Sequence, residues 1–173
     1  MYFQLILFEL FFLSAQAPES REYQIEAAFL YNFSQFVEWP ADAFPEAETP
    51  LVIGVLGDDP FGNYLVETVI GEKANGHPLT IQHYKNIEEI KICHILFINL
   101  SEANKQKETI EGLKGRSILT VSDVSGFLKQ GGMIRFAKED NKIRIRINPD
   151  AAKEANLVIS SKLLRIAEIV ESK

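Results

Sequence analysis

Residues 57–62, GDDPFG, come nearest to a chemical motif in this chain. Gly57 and Gly62 have the glycine spacing of a phosphate loop, in which backbone N–H groups cradle a nucleotide. That chemistry also needs Lys and then Ser or Thr after the second glycine. Asn63 and Tyr64 stand there, so no Walker loop is present. A dinucleotide fingerprint fails too, because no glycine lies two residues after Gly57 and Pro60 removes an N–H donor at the helix start. Asp58 or Asp59 reads instead as a cap, a carboxylate favoured by the positive end of the following helix. The same acidic pair after a first strand invites comparison with receiver domains, in which a third Asp ends strand three and accepts a phosphoryl group. Asn99 holds that position. Thr120 or Ser122 and Lys138 match the rest of the pattern loosely, but without the acceptor carboxylate there is no nucleophile.

Other reactive residue types are scattered. His77, His83 and His94 lie on different segments, with no i, i+4 pair and no pair of cysteines, so no metal site is expected. Ser122-Asp123 and Ser125-Gly126 read as a turn without a nucleophile elbow or an identifiable histidine partner, and Asp123 as a turn former or cap. Cys93 is the only cysteine, which excludes an internal disulfide and suits a small buried hydrophobe. Nothing assembles a nucleophile, a base and an oxyanion hole, so neither catalysis nor a cofactor is expected. The formal charge of −6 gives no bulk attraction to nucleic acid or to an anionic membrane.

The elements that position these residues alternate. The apolar, β-branched run PLVIGVLG (residues 50–57) reads as a strand, and residues 61–70 as a helix stopped by Gly71. Strands at 78–84, 93–100 and 117–121 follow, with a helix at 102–113. Continuous apolar character in the first and third strands implies burial on both faces, as in a parallel sheet between helix layers. Residues 133–137 and 143–147 flank the polar turn at 139–141 and read as a hairpin whose second arm alternates isoleucine with Lys142, Arg144 and Arg146. Helices at 149–155 and 161–170 close the chain. The expected fold is a single α/β domain: a mostly parallel sheet flanked by helices, with an antiparallel hairpin at one edge and C-terminal helices.

Ahead of the sheet lies AAFLYNFSQFVEWP (residues 27–40), five aromatic side chains on a short helix that stops at a Trp-Pro step. At about 100° per residue, Ile25, Phe29, Leu30, Phe33, Phe36 and Val37 share one face, and Ala27, Tyr31, Ser34, Gln35 and Glu38 the other. Core packing accounts for most of the rings. The helix end, with Tyr31, Phe36, Glu38 and Trp39, and Phe61 beside the Asp58 turn are the candidate partner contacts, because Tyr and Trp dominate interfaces at low entropic cost. Arg144 and Arg146 form a second, basic candidate surface, alternatively a solvated strand face that discourages edge pairing. A small ligand, if one is bound, belongs in the crevice beyond the strand ends, near Gly57, Asp58, Asn99 and Asp123.

Residues 5–13, LILFELFFL, form an apolar run too short to span a bilayer, and Ala15-Gln16-Ala17 supplies the small residues an export peptidase reads. The reading is a signal peptide at residues 1–17, atypical in carrying Glu9 and no preceding Lys or Arg, cleaved after about Ala17. The exported domain, residues 18–173, is large enough to bury a core without disulfides.

AAFLYNFSQFVEWP, LVIGVLGDDPFG, ICHILFIN, ILTVSD, GGMIRF, IRIRINPDAA and SSKLLRIAEIV, in that order over residues 22–170, resemble the YfiR-like family of exported bacterial proteins. The resemblance implies an α/β fold, a periplasmic location and a repressor without a catalytic centre. By that resemblance the partner is the periplasmic sensing region of an inner-membrane diguanylate cyclase, held inactive so that cyclic-di-GMP and biofilm formation fall. Stress or an outer-membrane lipoprotein would relieve the block, and a homodimer is implied. Some relatives carry paired cysteines, and the lone Cys93 does not match them. The alternative is a periplasmic small-ligand sensor acting with another membrane receptor.

Overall fold

The structure, a computed structural model, describes residues 18–171; the expected signal peptide lies outside the described residues. Helix α1 (Pro18–Phe36) runs directly into a two-residue strand, β1 (Val37–Glu38). Its buried face is Glu26, Ala27, Leu30, Phe33 and Ser34, continued by Val37, whereas Ile25 is exposed. The face is therefore rotated from the one that hydropathy alone selects. Ala27 and Ser34 let the helix approach closely, and the Ser34 hydroxyl donates to Tyr31 O at 2.6 Å, so it needs no partner from the sheet.

The sheet follows: β2 (Leu51–Gly57), α2 (Asn63–Val69), β3 (Lys73–Ala74), β4 (His77–Tyr84), β5 (Ile95–Asn99), α3 (Ala103–Gly112) and β6 (Leu119–Ser122). A hairpin, β7 (Ile134–Glu139) and β8 (Lys142–Ile147), turns through Asp140 and Asn141, both left-handed (φ 48° and 58°), as a two-residue hairpin turn requires. The chain ends with α4 (Pro149–Glu154), β9 (Val158–Ile159), α5 (Ser161–Ile166) and β10 (Glu168–Ile169). The strand order is β10-β8-β7-β6-β5-β2-β4-β3. Strands β4, β2, β5, β6 and β7 are parallel, β8 returns antiparallel to β7, and β10 lies parallel to β8. Counting the parallel strands in chain order gives 2-1-3-4-5, a doubly wound sheet that switches direction between β2 and β5. β1 and β9 pair separately, Val37 with Ile159 and Glu38 with Val158.

Two cores result. One face packs α1 and α2 through an aromatic series: Tyr23 edge-on to Phe61, Phe61 edge-on to Phe97 at 4.8 Å, then Phe136, Phe33 and Phe29. The other face, with α3, holds Leu56, Tyr84, Cys93, Leu96, Ile98, Ile110, Leu113 and Phe127. Gly54 in β2 admits that second core: a Cβ there would stand 2.7 Å from the Tyr84 ring and 2.9 Å from Leu96.

Three expectations change. α2 starts at Asn63 rather than Phe61, because Gly62 (φ 55°) breaks the backbone and Asp59 accepts the Phe61 N–H within the preceding turn. The last helix stops at Ile166, and the residues after it extend as β10, where Val170 N–H reaches Ile147 O. The strands β1, β3, β9 and β10 are too short to leave a period-2 signal. No helix among the described residues is long and apolar enough to cross a membrane.

Candidate partner-binding surface

The candidate contact residues of the first helix do not form one patch; each is held by a different element. The Tyr31 hydroxyl donates to Glu72 Oε2 at 3.1 Å, beside the turn after α2, and Gln35 one turn on donates to Lys73 O. Phe36 is half-buried against the core, and its carbonyl accepts the Ser160 N–H. Glu38 is exposed and paired through the backbone with Val158. Trp39 turns inward: its indole N–H donates to His94 O at 3.1 Å and its ring meets the His94 imidazole edge-on. Phe61, the fifth candidate, is 1 % exposed between Tyr23 and Phe97. It is a core residue, because the turn at Gly62 directs it under α1 rather than outward, and it offers no contact surface in this conformation.

At the β2–β5 switch point the ligand-crevice candidates do converge, but upon each other. Asn99 Nδ2 donates to Asp58 O at 2.9 Å, and Asn99 O stands 2.2 Å from where a Gly57 Cβ would sit. Glycine is required there both by that contact and by its φ of 93°. Asp123 follows β6 at the same end of the sheet. Burial raises its pKa, and its charge, with that of Glu22, acts on Glu26. Glu26 is 3 % exposed with Oε2 unpartnered; burial first, then the two neighbouring carboxylates, push it up to about 8. Helical periodicity sets Glu26 awkwardly near the apolar edge of the helix, but the approach of Asp123 is a tertiary contact that the pattern does not contain. At the edge of the same end, His83 Nε2 lies 2.7 Å from Asp59 Oδ2, an exposed pair. Among the described residues no group of three His, Cys, Asp or Glu side chains is placed to hold a metal ion. Cys93 is buried, and burial pushes its thiol up to about 12, which suppresses the thiolate.

The basic strand face separates into two roles. Arg146 is braced between Glu139 (2.5 Å) and Glu168 (2.9 Å), tying β8 to β7 and β10, so it serves the fold. Arg144 is exposed and makes no ion pair among the described residues. It lines a cavity of about 510 Å³ between β8, α5 and α1, shared with Arg165, with Glu139 and Glu168, both engaged by Arg146, and with an apolar wall of Phe29, Ile143 and Ile145. β10 pairs only with Arg146 and Ile147, so the outer edge of β8 from Lys142 to Ile145 is left open beside this cavity. Ile166 and Ile169, 68 % and 45 % exposed, come from the same C-terminal segment. Sequence reasoning found Arg144 by strand alternation. It missed Arg165 and Ile166, which were read as part of a continuous helix.

These features define a doubly wound α/β domain with an open, partly apolar edge carrying guanidinium groups that make no ion pair among the described residues. A family model described as YfiR/HmsC-like matches residues 23–168, and the chain belongs to that family. The family is known in general as one of periplasmic regulators, not of enzymes. Among curated proteins none matches the chain.

Proposed function

We propose that this chain is a periplasmic regulator that binds the periplasmic sensing region of an inner-membrane diguanylate cyclase and holds it inactive, lowering cyclic-di-GMP and biofilm formation. The family match over residues 23–168 carries this reading. Repression of this kind needs no catalytic group, only a surface that binds the inactive conformation of the partner better than the active one. A preference of about 5 kcal/mol shifts such an equilibrium almost completely. The open β8 edge suits an extended partner segment bearing carboxylates: backbone pairing supplies affinity, and because Arg146 engages Glu139 and Glu168, the Arg144 and Arg165 guanidinium groups supply direction. Glu38, exposed on the β1–β9 pair, is a second, smaller contact. A homodimer and relief by an outer-membrane lipoprotein complete the reading.

The test is capture from solubilised membranes with the mature chain, followed by cyclic-di-GMP measurement in a deletion strain. A cyclase is expected in the captured fraction, and cyclic-di-GMP is expected to rise on deletion. Arg144→Glu, on an exposed side chain, is expected to lose capture while keeping the circular dichroism spectrum of the parent. An unchanged cyclic-di-GMP level on deletion would rule out the cyclase.

The cavity itself favours a second reading, a small-ligand sensor, because its volume lies within the range of ligand sites. A carboxylate-bearing metabolite that raises the melting temperature of the wild type but not of Arg144→Glu would select that reading.

A further inference from the structure

Residues 39–50, between β1 and β2, form a strap across the end of the sheet where β2 and β5 begin, and two imidazole rings fasten it. None of the strap residues is fully buried. His94, immediately before β5, is 1 % exposed. Its Nδ1 accepts the Val52 N–H at 3.0 Å, and its Nε2 lies 3.0 Å from Ala43 O of the strap. A backbone N–H can only donate and a carbonyl only accept, so this geometry admits one form of the ring: neutral, with its proton on Nε2. Phe44 of the strap stacks on His94 at 4.3 Å and on His77 at 3.9 Å, both nearly parallel, so the phenyl ring is held between two imidazoles. His77 Nδ1 in turn contacts Thr49 O at 2.8 Å. Trp39 closes the arrangement through its bond to His94 O.

We propose that the strap is an acid-released latch: a proton on His94 Nδ1 sets a donor against the Val52 N–H, so the ring must leave that seat, and its contacts with Ala43 O and Phe44 go with it, which frees residues 39–49 while the sheet persists. The charged and titratable groups around the ring do not rescue the protonated form. From β4 the neighbour is His77, whose charge opposes a proton on His94. β2 and β6, which hold the ring and its carbonyl, carry no ionisable side chain. The strap brings Asp42, Glu46 and Glu48, all exposed and none bonded to the ring nitrogens, Lys91 and Arg116 line the cavity beside Cys93, and Cys93 itself is neutral. Burial holds the imidazole pKa below its ordinary value of 6.5, against a smaller opposite pull from Ala43 O and with His77 adding to the depression. Trp39 and Phe44 are the strap's large apolar side chains, and both sit against His94, so the strap opens once that ring gives up its seat. The inference rests on the fold alone and is independent of any partner.

The chain carries its own reporters, since Trp39 is its only tryptophan and Cys93 its only cysteine. Cys93 lines a cavity of about 310 Å³ whose other wall is Asp42, Ala43 and Pro45 of the strap. The experiment follows Trp39 emission, far-ultraviolet circular dichroism and the reaction of Cys93 with 4,4′-dithiodipyridine, which reports thiols in acid, from about pH 7.5 to about pH 4.5. In the wild type the Cys93 rate is expected to rise ~tenfold or more on acidification, with the Trp39 change at the same midpoint and the dichroism unchanged. Asn at position 94 keeps an acceptor for Val52 but takes no proton, so the rate in His94→Asn is expected to stay within ~twofold over the same range. His77→Gln is expected to keep the transition and move its midpoint to higher pH. A flat wild-type rate, loss of dichroism together with the Trp39 change, a wild-type transition in His94→Asn, or no transition in His77→Gln would each overturn the proposal. Should His94→Asn fail to fold, amide exchange on the wild type decides. Protection of the Val52 N–H should be lost in acid before that of the β6 and β7 amides, and its retention overturns the latch.

Discussion

Glu26 carries a carboxyl into the packed side of α1, beside Asp123 and Glu22, with Oε2 unpartnered. Its native pKa of about 8 stands above the ordinary 4.5, so between those values the folded chain holds a proton that the unfolded chain has released. The stability Glu26 contributes is full below pH 4.5 and is lost as pH rises toward 8. Glu26→Gln keeps the shape without the ionisation. It is expected to stabilise the domain by about 3 kcal/mol at neutral pH and by under about 1 kcal/mol near pH 4.5, read from urea unfolding at the two pH values. Trp39 shows how far single residues were legible. The Trp-Pro step set the helix end too late, since α1 stops at Phe36 and Val37–Glu38 extend as β1, and the direction of the indole depended on His94 O, 55 positions further along, which no local pattern contains.

The central strand β2 is the element with least tolerance. Its run from Leu51 to Leu56 is buried on both faces, as its continuous apolar character implied, and Gly54 is the point where Tyr84, Leu96 and Cys93 close over it. Gly54→Ala is expected to cost about 1–3 kcal/mol in chemical denaturation, through displacement of the Tyr84 ring, with the fold retained. A gain in stability would mean that the second core is looser than described. The long elements were legible because burial imposes a period: β2, β4, β5, α3 and the β7–β8 hairpin lie where the sequence pattern puts them. The rotated face of α1 was not, because Ala27 and Ser34 bury by being small rather than by being apolar. The C-terminal strand was not, because the pairing of Glu168 with Arg146 is decided by β8 and not by residues 161–170 themselves. The crevice residues Gly57, Asp58, Asn99 and Asp123 lie at one end of the sheet, after β2, β5 and β6. What the sequence could not convey is that Asn99 and Asp58 satisfy one another.

At the scale of the whole molecule, two buried groups shape the response to pH from opposite sides. His94, depressed below 6.5, contributes stability that is full above 6.5 and lost as pH falls below it, whereas Glu26 contributes stability lost as pH rises. Just below 6.5 the two slopes oppose; above 6.5 only that of Glu26 remains, with Asp123 acting in the same direction at lower pH. The melting temperature is therefore expected to be highest in mildly acidic buffer and to fall by about 4–8 °C by pH 8, measured by calorimetry, with that fall abolished in Glu26→Gln. A curve that still rises between neutral pH and pH 8 would contradict the assignment of Glu26.

The β1–β9 pair joins residues 37–38 to residues 158–159, so the end of the first helix is stitched to a segment near the end of the chain. Phe33 likewise waits for Phe136. A chain delivered from its N-terminus, by a ribosome or through a membrane pore, therefore presents α1 with its rings uncovered until almost all the rest has arrived. Closure of this domain is a late event, and its aromatic first helix is the part most in need of a chaperone before then.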